Sequence, residues 1–224
     1  MTAASTGPDA DLRGQRERMV ADQIAQPLDS RPPVRDPEVL AAMRSVPRHK
    51  FVDDQTKSLA YSDRPLPIGH RQTISQPYIV AFMTELLQPQ RHHDVLEVGT
   101  GCGYQAAVLA ELVGHVYTIE IVAALAERAK STLSDLGYDN VTVRSGDGYM
   151  GWPDAAPFDR IILTAAPDHV PTPLIDQLKP GGRMVLPVGE VWSTQQLTLV
   201  TRDEAGRVFD ETVMAVGFVP LTRL

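Results

Sequence analysis

The stretch Val95-Leu96-Glu97-Val98-Gly99-Thr100-Gly101-Cys102-Gly103-Tyr104 reads as a strand that runs through a glycine-rich turn into a helix. Glycines let the backbone fold tightly and come close to a ligand, and the start of the helix offers unpaired amides. The spacing is Gly-x-Gly-x-Gly followed by Tyr104, so the third glycine of the dinucleotide fingerprint, expected one position later, is missing. A nicotinamide cofactor is therefore disfavoured. Glu120 closes the next candidate strand, where a carboxylate can accept hydrogen bonds from the hydroxyls of a ribose, whichever cofactor carries it. Ser145-Gly146-Asp147-Gly148 follows the strand after that, at the same sheet edge. Asp147 there can accept from an adenine amine, although Asp-Gly taken alone is ordinary turn chemistry.

Working outward, short apolar runs alternate with amphipathic stretches from Asp94 onward, the pattern of a parallel sheet flanked by helices. Candidate strands are Val95–Val98, Val116–Ile119, Val141–Arg144, Arg160–Leu163 and Met184–Val188, with helices near Tyr104–Leu112, Val122–Leu136 and Pro171–Gln177. Gly114 and Gly137 fall where helix C-caps belong. Gln196–Thr201 and Val208–Val216 form a candidate hairpin, antiparallel at one edge. The fold class expected is α/β: a doubly wound, mostly parallel seven-stranded sheet with an antiparallel C-terminal hairpin and an N-terminal helical extension. Residues 1–14 lack periodicity and are expected to be a disordered leader before a single domain, 15–224. Within it, Arg16–Ala25 and Pro37–Val46 have helical spacing, and Pro27–Pro37 carries four prolines that forbid a helix.

The 224 residues, 43% hydrophobic, suffice for one sizeable core. Cys102 is the only cysteine, which rules out an intrachain disulfide and favours a reducing, cytoplasmic compartment. No apolar run approaches the roughly 18 residues of a membrane span. With 21 basic against 28 acidic residues, the net charge of −7 argues against nucleic acid as a partner. His92-His93 is the only histidine pair and has no carboxylate at ligand spacing, so no metal site is expected. Tyr149 and Trp152 read as packing residues, and Cys102 as a small neutral one.

Upstream lies Pro65-Leu66-Pro67-Ile68-Gly69-His70-Arg71-Gln72-Thr73-Ile74-Ser75-Gln76-Pro77-Tyr78, polar and punctuated by prolines, which reads as a fixed loop before the helix-like Ile79–Leu87. Composition alone leaves Ser75 either an N-cap or a functional residue. The glycine motif, Glu120 and Asp147 resemble the seven-strand S-adenosylmethionine methyltransferases. From about Arg16 to Thr222 the chain is similar to the protein-L-isoaspartate O-methyltransferases, its bacterial branch most of all. That resemblance rests on the Pro65–Pro77 segment, with support from Val46–His49, Leu163–Pro167, Leu178–Gly189 and Phe218–Thr222.

The resemblance implies methylation of the free α-carboxylate of L-isoaspartyl residues in damaged proteins, followed by repair through a succinimide. It makes Ser75 the active-site residue and isoaspartyl proteins the partners of a monomeric enzyme. It assigns S-adenosylmethionine, leaving as S-adenosylhomocysteine, to Gln72, Thr73, Ile74, Gly99, Thr100, Gly101, Gly103, Glu120, Asp147, Gly148 and Thr222. Substrate falls to Thr73, Tyr78, Val219, Pro220 and Leu221. It also divides the domain into a helical and substrate-loop part (15–93) and a cofactor-binding part (94–224). The proline-rich loop is longer than the family leads one to expect, and the chain stops two residues after Thr222. A carboxylate with a pKa of about 3.5 is ionised at neutral pH, so Ser75 is expected to orient the acceptor rather than attack it; no Gly-x-Ser-x-Gly elbow surrounds it. The competing readings are an O-methyltransferase for another carboxylate, in a small molecule or modified peptide, a non-catalytic binding module, and an RNA methylase, the last disfavoured by charge.

Overall fold

Each short apolar run after Asp94 becomes a buried strand. In this computed structural model, which describes residues 8–190 and 194–223, a small antiparallel hairpin comes first, β1 (Leu66–Gly69) and β2 (Gln72–Ile74). The main sheet comprises β3 (Asp94–Val98), β4 (His115–Glu120), β5 (Val141–Ser145), β6 (Phe158–Leu163), β7 (Leu178–Val188), β8 (Gln195–Arg202) and β9 (Val208–Val216). Its order is β5-β4-β3-β6-β7-β8-β9, with β3 to β7 parallel and the last two strands antiparallel. This is the expected doubly wound sheet with its antiparallel C-terminal hairpin. Alternate residues of the central strands enter two cores. Val95, Ile162 and Val185 face one, while Leu96, Ile161, Leu163 and Met184 face the other, as strands covered on both sides require.

Six α-helices accompany the sheet among the described residues: α1 (Pro8–Arg18), α2 (Pro37–Ser45), α3 (Pro77–Leu87), α4 (Tyr104–Ala110), α5 (Ala123–Asp135) and α6 (Thr172–Asp176). None is long and apolar enough to cross a membrane. Helix α1 continues into a π-helical turn, Met19–Ile24, whose Met19, Val20 and Ile24 are fully buried. Asp36 caps α2 by accepting from Glu38 N and Val39 N, with Pro37 in the first turn.

Three expectations are corrected and a fourth holds. The predicted leader 1–14 ends early: residues 1–7 lie outside the described residues, and the chain is helical from Pro8, a residue suited to the first helical position. The Pro65–Tyr78 loop contains the β1–β2 hairpin, turned at His70 and Arg71, both left-handed with φ of 51° and 59°. Such turns usually announce themselves with Asn or Gly, which is why the pattern was silent. Gly137 is the left-handed cap expected, at φ 81°. Gly114 is not left-handed; it is a glycine because an added Cβ would lie 3.2 Å from the carbonyl of Arg91.

Strand order reverses at the β3–β6 pair, where connections leave in opposite directions and a crevice opens beyond the carboxyl ends of the strands. Thr164 N donates to Val98 O at 2.9 Å, and the Thr164 hydroxyl donates to Gly99 O. A Cβ on Gly99, at φ 99°, would stand 2.4 Å from Thr164 Oγ1. Gly99→Ala should therefore destabilise the protein by about 2–4 kcal/mol in urea unfolding, combining overpacking with left-handed strain. Adding Thr164→Ala should relieve the clash but forfeit the hydroxyl's bond to Gly99 O, so it should recover only a fraction of the loss.

Candidate active site

The loop after β3 is largely satisfied by its own surroundings. Gly99 N and Thr100 N both donate to Ile119 O, and Gly103 N donates to Thr100 O. Gly101 N donates to Glu120 Oε2 at 2.7 Å, and Val122 N donates to Glu120 Oε1 at 2.9 Å. The Glu120 carboxylate, 6% exposed, is thus clamped by one amide on each oxygen and keeps a second lone pair on each for a ligand.

Three adjoining recesses open at the crevice. The first is lined by Gln72, Thr73, Gly99, Gly101, Glu120, Gly148, Val219, Pro220, Leu221 and Thr222, ten of the residues singled out from sequence. The second, of about 470 Å³, lies between the proline-rich loop and the end of β9 and has Thr73 and Ser75 on its wall. The third is small and joins Thr73, Ile74 and Ser75 to the glycine loop. Thr73 and Thr164 line all three, and Ser75 lines the second and third. Ser75 is half-buried and its side chain has no hydrogen-bond partner among the described residues. Among the described residues no base is hydrogen-bonded to it. The N-cap of α3 is Gln76, so the capping reading of Ser75 does not hold.

Other residues fall differently. Thr100 lines the third recess, but its hydroxyl is taken up by Thr118 at 2.6 Å. Gly103 lines none of the three; an added Cβ would meet Leu133 and Ala129 of α5, so the glycine serves helix packing. Asp147 accepts from Tyr149 N and caps the turn after β5, and it is Gly148 that faces the first recess. Tyr78 does not reach the substrate side: it is fully buried, its hydroxyl donates to Pro32 O at 2.8 Å, and its ring stacks on Phe82. The alternation of polar and apolar residues around Ser75 could not show that α3 turns this ring inward.

Sequence reasoning missed Ile121 and Thr164 in the first recess, and Asp29, Arg31 and Asp63 in the second. A signal existed for Thr164, which follows β6 at the same sheet edge as Gly99 and Gly148. The C-terminal strap is held by Ala166 N donating to Val219 O and Leu221 N donating to Ala166 O, each 2.8 Å. Gln195 adds a two-way link to Phe218, donating to its O and accepting from its N.

Two buried titratable groups flank the glycine loop. Burial pushes the Cys102 thiol up to about 11, which leaves it an unreactive neutral side chain. Glu97 is fully buried, accepts from the Thr118 hydroxyl at 2.6 Å and leaves Oε1 without a partner among the described residues. Desolvation lifts its pKa to about 8 against the hydrogen bond from Thr118.

A sheet in this order, with a glycine loop, a clamped acid one strand over and three recesses meeting at the switch point, defines the seven-strand methyltransferase class. Comparison with known proteins narrows this. The sequence model of the protein-L-isoaspartate(D-aspartate) O-methyltransferase family matches residues 20–224, and the chain belongs to that family. It is 60% identical over 187 residues to protein-L-isoaspartate O-methyltransferase 2 of Syntrophobacter fumaroxidans, covering 84% of this chain and 76% of the relative. A solved protein-L-isoaspartate O-methyltransferase superposes with a TM-score of 0.77 at 31% identity, over 84% of this chain and 61% of that one. A putative member from Plasmodium falciparum, solved in complex with S-adenosyl-L-homocysteine, shares the fold at a TM-score of 0.75 and 23% identity, over 96% of this chain and 98% of that one.

Glu97 generates a pH prediction. Its folded pKa lies above the unfolded value of 4.5, so folding takes up a proton between pH 4.5 and about 8 and stability falls as pH rises through that window. In Glu97→Gln the decline in thermal midpoint from pH 5.5 to pH 8 should be shallower than in the parent, as read by circular dichroism at matched ionic strength.

Proposed function

We propose that this chain transfers a methyl group from S-adenosylmethionine to the free α-carboxylate of L-isoaspartyl residues in damaged proteins, opening repair through a succinimide. The observation that carries the reading is that the recess beside Glu120 and the cavity of about 470 Å³ share Thr73 and Thr164, with Ser75 on the wall of that cavity and of the small recess between them. The first recess suits the cofactor. It offers the two free lone pairs of Glu120 to a ribose, and Gly99, Gly101 and Gly148 let the backbone come close. When bound, the cofactor supplies an electrophilic methyl group on a cationic sulfur.

The chain's own part is positioning. Ser75, with an unoccupied hydroxyl at the junction, orients one acceptor oxygen by hydrogen bonding, and Thr73 stands beside it. Holding reacting atoms about 3–3.5 Å apart and in line can remove roughly 7–11 kcal/mol of a barrier. The main chain of 214–219 along the second cavity reads the peptide path. An aspartyl peptide routed along it leaves its own polar groups unpaired, which discriminates the isomers. The enzyme works as a monomer, and a buried lone thiol suits the reducing cytoplasm.

Matched isoaspartyl and aspartyl peptides with tritiated cofactor provide the test. Label should enter the isoaspartyl peptide alone; equal labelling of both, or of neither, overturns the reading. Ser75→Ala should lower kcat about a hundredfold while the Kd for S-adenosylhomocysteine, by calorimetry, stays within about twofold.

A further inference from the structure

Asp63 lies outside every motif used above, yet its carboxylate meets two segments distant in sequence, the proline-rich loop and the start of α3. Oδ1 accepts from Tyr78 N at 3.0 Å, and Oδ2 accepts from Gln76 Nε2 at 2.8 Å. The Asp63 carbonyl takes a second bond from the same Gln76 amide at 3.0 Å. Arg31 Nη1 of the proline-rich loop stands 2.9 Å from Oδ2, with the Asp63 side chain only 15% exposed. Helix α3 has no cap from its own N-cap side chain, so Asp63 supplies that cap from 15 residues upstream.

We propose that Asp63 is the positioning residue of this reaction, fixing the Ser75–Gln76 corner and tying the proline-rich loop to it as one rigid substrate wall. The inference rests on the function proposed above. Gln76 directly follows Ser75, so the two bonds that hold Gln76 hold the main chain carrying the Ser75 hydroxyl. On the opposite side, Arg31 lies 4.2 Å over the Tyr78 ring, and Tyr78 donates to Pro32 O. The loop is thereby fastened to α3 through the same corner. Asp63 lines the second cavity and neither of the other two, so it acts through Gln76 and Arg31 rather than on the reacting atoms. Asp63→Asn keeps an acceptor for Tyr78 N but removes the charge and turns a donor toward Arg31 and Gln76, themselves donors.

The test compares the parent, Asp63→Asn and Arg31→Met. It measures isoaspartyl-peptide kinetics, S-adenosylhomocysteine affinity, and amide hydrogen exchange of segments 27–37 and 76–80. For Asp63→Asn, kcat/KM should fall about tenfold or more, cofactor-product Kd should hold within about twofold, and exchange should rise in both segments. A merely structural role would lower kcat/KM and cofactor affinity together, and that result overturns the proposal, as does unchanged kcat/KM or a rise in one segment only. Arg31→Met should raise KM about fivefold with kcat within about twofold and quicken exchange in 27–37. Should Asp63→Asn fail to fold, that variant decides, and no change in it sinks the coupling. If the parent methylates no isoaspartyl peptide, the proposed function fails while the exchange data still judge the link through Asp63.

Discussion

The contact between the Gly99 backbone and Thr164 is the constraint on which the remaining architecture depends. Two parallel strands whose connections leave in opposite directions would otherwise splay at their carboxyl ends. Here the Thr164 amide and hydroxyl bind the main chain of Val98 and Gly99, and the absent side chain of Gly99 makes the approach possible. Gly148 repeats the device from the β5 side, where a Cβ would meet Val98 Cγ1 at 2.5 Å. The ends of β3, β5 and β6 are thus drawn onto one point. The recess they floor is held by backbone hydrogen bonds, by close packing and by the Glu120 carboxylate that clamps Gly101 N and Val122 N.

The substrate wall is built in the opposite way, from segments distant in sequence. Tyr78 and Glu85, both on α3, satisfy backbone groups of the proline-rich loop: Pro32 O accepts from Tyr78, and Arg35 N and Asp36 N both donate to Glu85 at 2.6 Å. Four prolines leave that loop few amides and few unfolded conformations to lose, so a small number of contacts is enough to order it. Facing it, residues 214–219 continue from β9, fixed by Gln195 and by Ala166. The cavity between them is a property of the fold as a whole rather than of any one motif.

This division explains what could be read from sequence. Strands such as Val95–Val98 and Arg160–Leu163 were legible to within two residues at each end, because a parallel strand covered on both faces is a short apolar run. The position of Glu120 at the sheet edge was legible because it closes the strand that follows the glycine loop and its helix. Tyr78, Gly103 and Gly114 were misread for a common reason: each owes its place to a partner remote in the chain, namely Pro32, Leu133 and Arg91. Arg31 and Asp63 left no trace for the same cause, since a charge pair across 32 positions has no period and no local signature. Spacing identifies what an element does along its own axis; it is silent on which face meets which neighbour.

The distribution of charge around the three recesses bears on the chemistry itself. Methyl transfer from a cationic donor to a carboxylate removes two opposite charges at once, so a site that stabilises either ion in the ground state raises the barrier it should lower. The small recess at the junction is lined by Thr73, Ile74, Ser75, Val80, the glycine loop, Tyr104, Gln105 and Thr164, with no ionised side chain. Burial holds the thiol of Cys102 there neutral, and Glu97 behind the loop is kept largely protonated at pH 7 by the same desolvation. Among the described residues, ionised side chains line only the other two recesses: Glu120 the first, and Asp29, Arg31 and Asp63 the second. An arginine at the junction would grip the acceptor carboxylate and diminish its nucleophilicity, whereas a serine hydroxyl orients one oxygen and leaves the charge to be consumed by bond formation. Hydroxyls in place of ions at this point suit a reaction in which charge disappears in the transition state, while the charges of Asp29, Arg31 and Asp63 in the second cavity are spent on one another.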